Sequence, residues 1–161
     1  MSELRVGLGV DLHRFADRAD APDRPLVLGG ARFANERPLA GHSDADAVAH
    51  AVTDAVLGAA GLGDMGGHFP DTDPVWRDAD SLGLLAAAVA KAAAEGWRFV
   101  NADCTLVAER PRVAGARAEM VRRLSAAAGG PVHVKATRPE GLGSLGRVEG
   151  VACLAVALLE R

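Results

Sequence analysis

Around GVDLHRF (9–15) apolar and polar positions alternate. The two-residue period of a strand sets Val10 and Leu12 on one face and Asp11, His13 and Phe15 on the other. Residues 4–13 read as a strand. PLVLGGARF (25–33) reads as a strand or hairpin arm with a bend at Gly29–Gly30. Val48, Val52, Val56 and Ala59 recur at helical spacing and predict a helix over 40–61. Ser43 or Asp44 is its expected N-cap, with acids in the first turn where the helix dipole favours them. Residues 61–76 form a loop punctuated by glycine and proline.

A second helix is predicted from Asp80 or Ser81 to Glu95, with Gly96 as its stop. WRFVNADCTLVAE (97–109) alternates as a strand. Residues 111–130 predict a third helix that opens on Pro111, a residue the first helical turn tolerates, and closes on glycines. In 131–138, Val132, Val134 and Ala136 oppose His133, Lys135 and Thr137, again a strand. After the glycine-rich EGLGSLGRVEG, the segment VACLAVALLE (151–160) is almost wholly apolar. Such a run predicts a strand covered on both faces, central in a sheet or buried at a subunit contact. Strands separated by helices give an α/β layer fold with one sheet.

The chain has 161 residues, 49% of them hydrophobic, which suits one domain over 1–161. No apolar run reaches membrane-span length, and the start MSELRVGLGV lacks a signal-type core, so a cytoplasmic protein without membrane contact is expected. Cys104 and Cys153 lie in apolar strand-like segments and read as buried, inert thiols. The net charge of −3 and the absence of a long basic block argue against a nucleic-acid surface. The scarcity of aromatics, at 4%, argues against base-stacking platforms. A nucleotide ligand needs only a local phosphate site and stays open.

Asp11 and His13 on one strand face form two-thirds of a metal site. His42, Asp46 and His50 follow at intervals of four, each step advancing about 40° around the predicted helix. If that helix packs beside the first strand, His50 supplies a third ligand. An Asp/His/His set leaves a fourth position open on zinc, as catalytic sites require. Asp46 or Asp44 is available to orient an imidazole. The plainer alternative has both histidines in surface hydrogen bonds and both acids serving the helix terminus. GLGDMGGHFPDTDP (61–74) offers glycine N–H groups to phosphate, and Asp64, Asp71 and Asp73 to a cation or sugar hydroxyls; it is also what a turn-rich surface loop looks like. KATRPEGLGSLGR (135–147) sets Lys135, Arg138 and Arg147 around glycines, with Glu140 as a hard-metal ligand, or is a solvated turn.

These motifs together resemble the 2-C-methyl-D-erythritol 2,4-cyclodiphosphate synthase family almost end to end. The resemblance is carried by DLH (11–13), HSDADAVAHAVTDAVLGAAGLGDMG (42–66), FPDTDP (69–74), NADCTLVAERPR (101–112), KAT (135–137) and GRVEGVACLAVALL (147–159). It implies an α/β subunit with a single mixed β-sheet packed against helices, assembled as a homotrimer with active sites between subunits. It also implies a cytidine diphosphate substrate that cyclises with loss of CMP. Zinc would sit on Asp11, His13 and His50, and magnesium or manganese on Glu140.

The same resemblance sets His42 and Ser43 toward the substrate's phosphates. Asp64 and Gly66 join Phe69, Pro70, Asp71, Thr72 and Asp73 along the methylerythritol region. Ala108, Arg110, Pro111, Arg112, Val113 and Ala114 border the cytidine pocket with Ala136 and Thr137. His42 and Arg138 are the expected catalytic residues, and Arg147 counts among the substrate-binding positions.

The chain departs from the family in four places. Arg138 and Pro139 follow KAT, where a further threonine is usual. Ser144 stands at a usual phenylalanine, and Val148 at the middle glycine of GRGEG. Arg147 and Glu149 match a segment that lines the family's central trimer cavity, linked there to isoprenoid diphosphates; the lost aromatic puts that secondary site in doubt. Two other readings use the same residues: a metal-dependent phosphohydrolase, and a non-catalytic trimer that binds nucleotide or isoprenoid.

Overall fold

The computed structural model describes every residue except Met1, Arg18, Asp20 and Pro22. In chain order the elements are β1 (Leu4–Arg14), β2 (Leu26–Leu28), β3 (Ala31–Phe33), α1 (Ala47–Ala60), α2 (Met65–His68), α3 (Ser81–Ala94), β4 (Arg98–Val107), α4 (Arg117–Ala128), β5 (Val132–Thr137), α5 (Gly143–Gly146) and β6 (Gly150–Glu160). A 3-10 turn covers Pro74–Trp76.

Four strands form one mixed sheet in the order β1-β6-β4-β5. β6 runs antiparallel to both β1 and β4, while β4 and β5 are parallel and joined through α4. Helices α1, α3 and α4 cover one face, so the expected mixed sheet packed against helices is the architecture found. A second, two-stranded sheet adds to it. β2 and β3 pair through Gly29 and Gly30, whose φ angles of 57° and 75° suit the left-handed turn of a tight hairpin. The bend expected there is present; a single sheet is not the whole of the fold.

The core lies between the sheet's inner face and α1. Val48, Val52 and Val56 are fully buried, each contributing about 1.5–3 kcal/mol relative to exposure. They are not a stripe, because the alanines around them are buried too. α1 can sit this deep because β1 turns glycine toward it: a Cβ on Gly7 would lie 2.0 Å from the Ala55 carbonyl oxygen. Strand glycines mark such close backbone approaches.

Several boundaries differ from the sequence expectation. α1 starts at Ala47, not near residue 43, and Asp46 is its N-cap. The Asp46 carboxylate accepts from Val48 N and Ala49 N at 3.1 Å, and from Gly29 N at 2.7 Å and Gly30 N at 2.6 Å. Four donors converging on one carboxylate hold the hairpin turn against the helix terminus, and no acid remains in the first turn. α3 begins after Asp80 as expected, and the chain after it turns at Gly96, with φ 82°. α4 begins only at Arg117, so Pro111 opens no helix. The segment 61–76 holds α2 and the 3-10 turn, and the glycine-rich segment holds α5.

β6 is central, but it is covered on one face only. Val151, Cys153, Ala155, Ala157 and Leu159 face the core, while Leu154 and Val156 are more than 40% exposed. On the neighbouring strand Leu4, Val6, Leu8, Val10 and Leu12 are 47% to 67% exposed. The β1–β6 register sets Leu8 opposite Val156 and Val10 opposite Leu154, giving one continuous apolar face. The same side of β4 and β5 is polar, with Lys135 paired to Asp103. Among the described residues no helix is long and apolar enough to cross a membrane.

Candidate metal centre

β1 and α1 meet where Asp11, His13 and His50 come together, their ligand atoms all within 4.8 Å of one another. Asp11 and His13 share the inward face of β1, two residues apart. His50 lies in the first turn of α1, on the part of the helix seated against the strand. Asp11 Oδ2 lies 2.6 Å from His13 Nδ1 and 3.6 Å from His50 Nδ1. Asp11 Oδ2 and His13 Nδ1 are both buried, and beyond their contact with each other neither has a hydrogen-bond partner among the described residues. Buried polar atoms are nearly always fully paired, so a carboxylate and two imidazoles with so few partners, facing one point, mark a place for a cation. One carboxylate and two imidazoles are the donor set that a borderline-soft divalent ion takes.

Charge in the cluster is mutual. Burial alone raises the Asp11 carboxyl, but His13 and then His50 outweigh it and hold its pKa at about 2. Burial pulls His50 down, while Asp11 overcomes that and leaves it above its ordinary 6.5. A carboxylate ionised over the whole neutral range stands ready for a metal.

A cavity of about 230 Å³ opens beside the cluster. His13 and His50 line it with His42, Ser43, Phe69 and Asp71. Gly41, Met65, Trp76 and Leu84 complete the wall, and Phe69 packs edge-to-face on Trp76 at 5.1 Å. His42 is not on a helical stripe with His50, because α1 starts five residues after it. It sits in the preceding loop, its Nε2 3.2 Å from the Asp73 carbonyl oxygen. Ser43 Oγ lies 3.1 Å from His50 Nε2 and accepts from Ala45 N at 3.2 Å.

The expected imidazole-orienting role of Asp46 is not what the structure builds, since its carboxylate is consumed by the helix cap and hairpin. Asp44 takes that place indirectly, through Ser81. Asp64 caps α2 by accepting from Gly67 N at 2.9 Å, with exposed Gly66 between them. Asp73 caps the 3-10 turn through Val75 N, and Pro70 and Thr72 lie in the same connecting loop.

Across the sheet, a second cavity of about 280 Å³ gathers Ala108, Pro111, Arg112, Val113, Ala114, Ala136, Thr137 and Arg138. Of the residues expected there, Arg110 is turned away toward Glu36, 3.9 Å distant. Arg138 is held by Glu109, to whose Oε1 its Nε donates at 2.8 Å. Within one chain, then, Arg138 belongs to this cavity and not to the one beside Asp11. Glu140 is exposed at φ 52°, and Arg147 is exposed and pairs with Glu149 at 2.7 Å. Cys104 and Cys153 are buried and unbridged; hydrogen bonding between them and burial push the Cys153 thiol up.

Sequence reading missed two residues that contact candidate site positions. Ser81 carried a signal, as one of two candidate starts of α3; Asp80 takes the cap, and the Ser81 oxygen lies 2.8 Å from His50 Nε2. Glu109 carried none, because only the fold brings it to Arg138.

Comparison with known proteins adds an independent line. The model of the YgbB family matches residues 4–160. A curated 2-C-methyl-D-erythritol 2,4-cyclodiphosphate synthase of Rubrobacter xylanophilus is 54% identical over 164 residues, covering 100% of this chain and 98% of that protein. A bifunctional enzyme IspD/IspF of Anaeromyxobacter dehalogenans is 56% identical over 98% of this chain, which spans only 40% of that protein. Among solved structures, the bifunctional IspDF from Campylobacter jejuni superposes with a TM-score of 0.91 at 37% identity, over 99% of this chain and 43% of that one. A 2C-methyl-D-erythritol-2,4-cyclodiphosphate synthase in its CDP-bound form gives 0.84 at 37% identity, over 96% of this chain and 99% of that one.

Proposed function

Because the chain belongs to the YgbB family, we propose that it converts 4-diphosphocytidyl-2-C-methyl-D-erythritol 2-phosphate to 2-C-methyl-D-erythritol 2,4-cyclodiphosphate with release of CMP. It is a phosphorus–oxygen lyase of isoprenoid biosynthesis, acting in the cytoplasm as one domain over residues 1–161. The observation that carries the reading is the convergence of the Asp11, His13 and His50 ligand atoms on one point, beside a cavity walled by His42 and Ser43.

The reaction joins the substrate's 2-phosphate to its β-phosphorus, and both groups are anionic. Phosphoryl transfer asks chiefly for alignment and charge stabilisation. Asp11, His13 and His50 would hold the zinc, which when bound would supply Lewis-acid polarisation of a phosphate oxygen. Glu140 would offer its carboxylate to magnesium or manganese, an ion that commonly takes few protein ligands and would neutralise charge on the substrate's phosphates.

The chain's own groups do the rest. The Ser43 oxygen accepts from Ala45 N, and its hydroxyl lines the cavity where it can donate to a phosphate oxygen. His42 flanks the same cavity. Arg138 presents a guanidinium that spreads forked hydrogen bonds over phosphate oxygens, in place of a threonine hydroxyl. Asp64, Gly66 and Phe69 to Asp73 line the methylerythritol part. Ala108 and Pro111 to Ala114, with Ala136 and Thr137, enclose the cytidine, Arg110 flanking them. No protein nucleophile is needed.

The assembly proposed is a homotrimer in which the cavity at Arg138 of one subunit faces the metal centre of the next. Support comes from the contiguous exposed apolar face of β1 and β6, a kind of surface that marks protein–protein contacts. Joining two cavities across a subunit boundary also keeps water from competing with the 2-phosphate.

The test is metal-dependent release of CMP with the cyclic diphosphate as co-product. His13→Ala and His50→Ala should each lose zinc and turnover. Full activity in a metal-free double variant would overturn the metal role. A linear product carrying oxygen-18 from solvent would identify a phosphohydrolase instead. Tight CMP binding without turnover at any added metal would identify a non-catalytic nucleotide-binding protein.

A further inference from the structure

His50 is the ligand with the most elaborate support. Its ring is 8% exposed, and its two nitrogens face different partners. Nδ1 points toward Asp11 Oδ2 at 3.6 Å, while Nε2 lies 2.8 Å from Ser81 Oγ. Ser81 is the first residue of α3, thirty-one positions along the chain, and is fully buried.

Ser81 is tied in turn to Asp44. Its hydroxyl donates to Asp44 Oδ1, and its backbone N–H donates to Asp44 Oδ2 at 3.1 Å. Asp44 Oδ1 also accepts from Asp46 N at 3.1 Å. Both carboxylate oxygens therefore act as acceptors, and the Asp44 side chain is fixed from two sides. The loop carrying it is fixed too, since Asp44 N donates to the Ala79 carbonyl oxygen at 3.1 Å.

A serine hydroxyl has one proton. With that proton committed to Asp44, the Ser81 oxygen turns only lone pairs toward His50. An unprotonated Nε2 would then oppose lone pair to lone pair at 2.8 Å. A proton on Nε2 turns the same contact into a hydrogen bond. Ser43 Oγ, 3.1 Å away and already accepting from Ala45 N, takes a share of that proton without conflict. The neutral ring then carries its free lone pair on Nδ1, the nitrogen that faces Asp11 Oδ2.

We propose that Asp44 and Ser81 form a positioning relay, carboxylate to hydroxyl to Nε2–H, that locks His50 in the tautomer and orientation its metal-ligating role requires. Ser81 and Asp44 touch neither metal nor substrate; they act through His50. Partners of this kind on the far side of a ligating imidazole fix its tautomer and strengthen it as a donor, and losing one typically costs 10–100-fold in metal affinity. The inference rests on the Asp11–His13–His50 metal reading and adds to it the residues that prepare the ligand.

The experiment has two readouts. Zinc affinity of the whole chain is measured by competition with a chromophoric chelator for the unaltered protein, Ser81→Ala, Asp44→Asn, Ser81→Thr and His50→Ala. Ser81→Ala leaves the α3 cap, Asp80, and all three ligands in place. It and Asp44→Asn should lose about 10–100-fold, and Ser81→Thr, which keeps the hydroxyl, should stay within about threefold. The His50 tautomer is read separately by nitrogen-15 NMR of the metal-free protein, at a pH where the ring is neutral. The unaltered protein should show the proton on Nε2, and Ser81→Ala a mixture. A proton on Nδ1 in the unaltered protein overturns the relay, whatever the variants do. Unchanged zinc affinity in Ser81→Ala, with His50→Ala still losing the metal, overturns it as well. Zinc binding unaffected by His50→Ala would instead sink the metal reading and the relay with it, so the two failures are told apart.

Discussion

Gly9 of β1 lies so close to α1 that a Cβ placed on it would stand 1.9 Å from the Ala51 carbonyl oxygen. Gly9 is two residues before Asp11 on the same strand face, and Ala51 directly follows His50. The absent side chain is thus what lets the two halves of the metal centre meet. Gly9→Ala should force strand and helix apart, destabilising the fold by at least about 2 kcal/mol, as overpacking does. It should also weaken zinc binding although no ligand is touched. Denaturant unfolding and zinc titration of the folded variant check both.

Metal binding should weaken as the pH falls. The ion needs neutral His50, whose pKa lies above 6.5, so protons compete from near neutrality downward; Asp11, at about 2, stays ionised throughout. In the metal-free protein the sign for stability reverses. The raised His50 contributes stability that is complete below its unfolded value of about 6.5 and is lost as pH rises through the folded value. The lowered Asp11 contributes above its ordinary 3.8 and loses that contribution as pH falls through about 2. Zinc affinity and thermal unfolding followed across pH separate the two effects.

The exposed row on β1 makes the proposed assembly testable. Leu8→Asp sets a charge at the middle of the apolar face, opposite Val156. Sedimentation should show a trimer for the unaltered chain and a monomer for the variant. Turnover should fall by about a hundredfold, the scale expected when reacting groups lose their alignment.

Arg138→Ala should lower turnover by about 10²–10³, as loss of one charge-stabilising donor does, while CMP affinity changes little. Glu109 holds the guanidinium at 2.8 Å. Glu109→Ala should therefore reproduce part of the effect by freeing the side chain to wander. Steady-state kinetics and CMP titration distinguish this from an unchanged rate, which would leave Arg138 a solvated loop charge.

Val148 has φ 61°, a left-handed conformation that a β-branched residue adopts only under strain. Its backbone N–H donates to the Leu145 carbonyl oxygen at 3.1 Å, which keeps the turn closed. A glycine at this position would meet the same geometry without strain. Val148→Gly should raise stability by about 1 kcal/mol, or about 2–4 °C in Tm for a chain of this size. A fall in Tm would mean that packing by the half-buried side chain outweighs the backbone cost.

The sequence by itself determined that strands lie near 4–13, 97–109, 131–138 and 151–160 and a helix from Asp80 or Ser81 to Glu95, each within a residue or two of the element observed. Alternation, helical spacing and capping residues act over a few positions and need no distant partner. It also determined two members of the candidate metal centre, because DLH sets Asp11 and His13 on one strand face by the two-residue period alone. What it misjudged was the ambiguous run HSDADAVAH, which holds several residues able to cap a helix. Only the hairpin turn at Gly29–Gly30, with two backbone N–H groups to satisfy, selected Asp46 and thereby moved His42 off the helix.

Tertiary structure alone decided the rest, for one physical reason: the deciding contacts join residues far apart in the chain. Gly9 against Ala51 sets the strand–helix distance, Ser81 reaches His50, and Glu109 reaches Arg138. The open outer face of β6 belongs to the same class. A local pattern can say that a strand is apolar on both sides, but only the arrangement of layers says which side the chain's own helices cover.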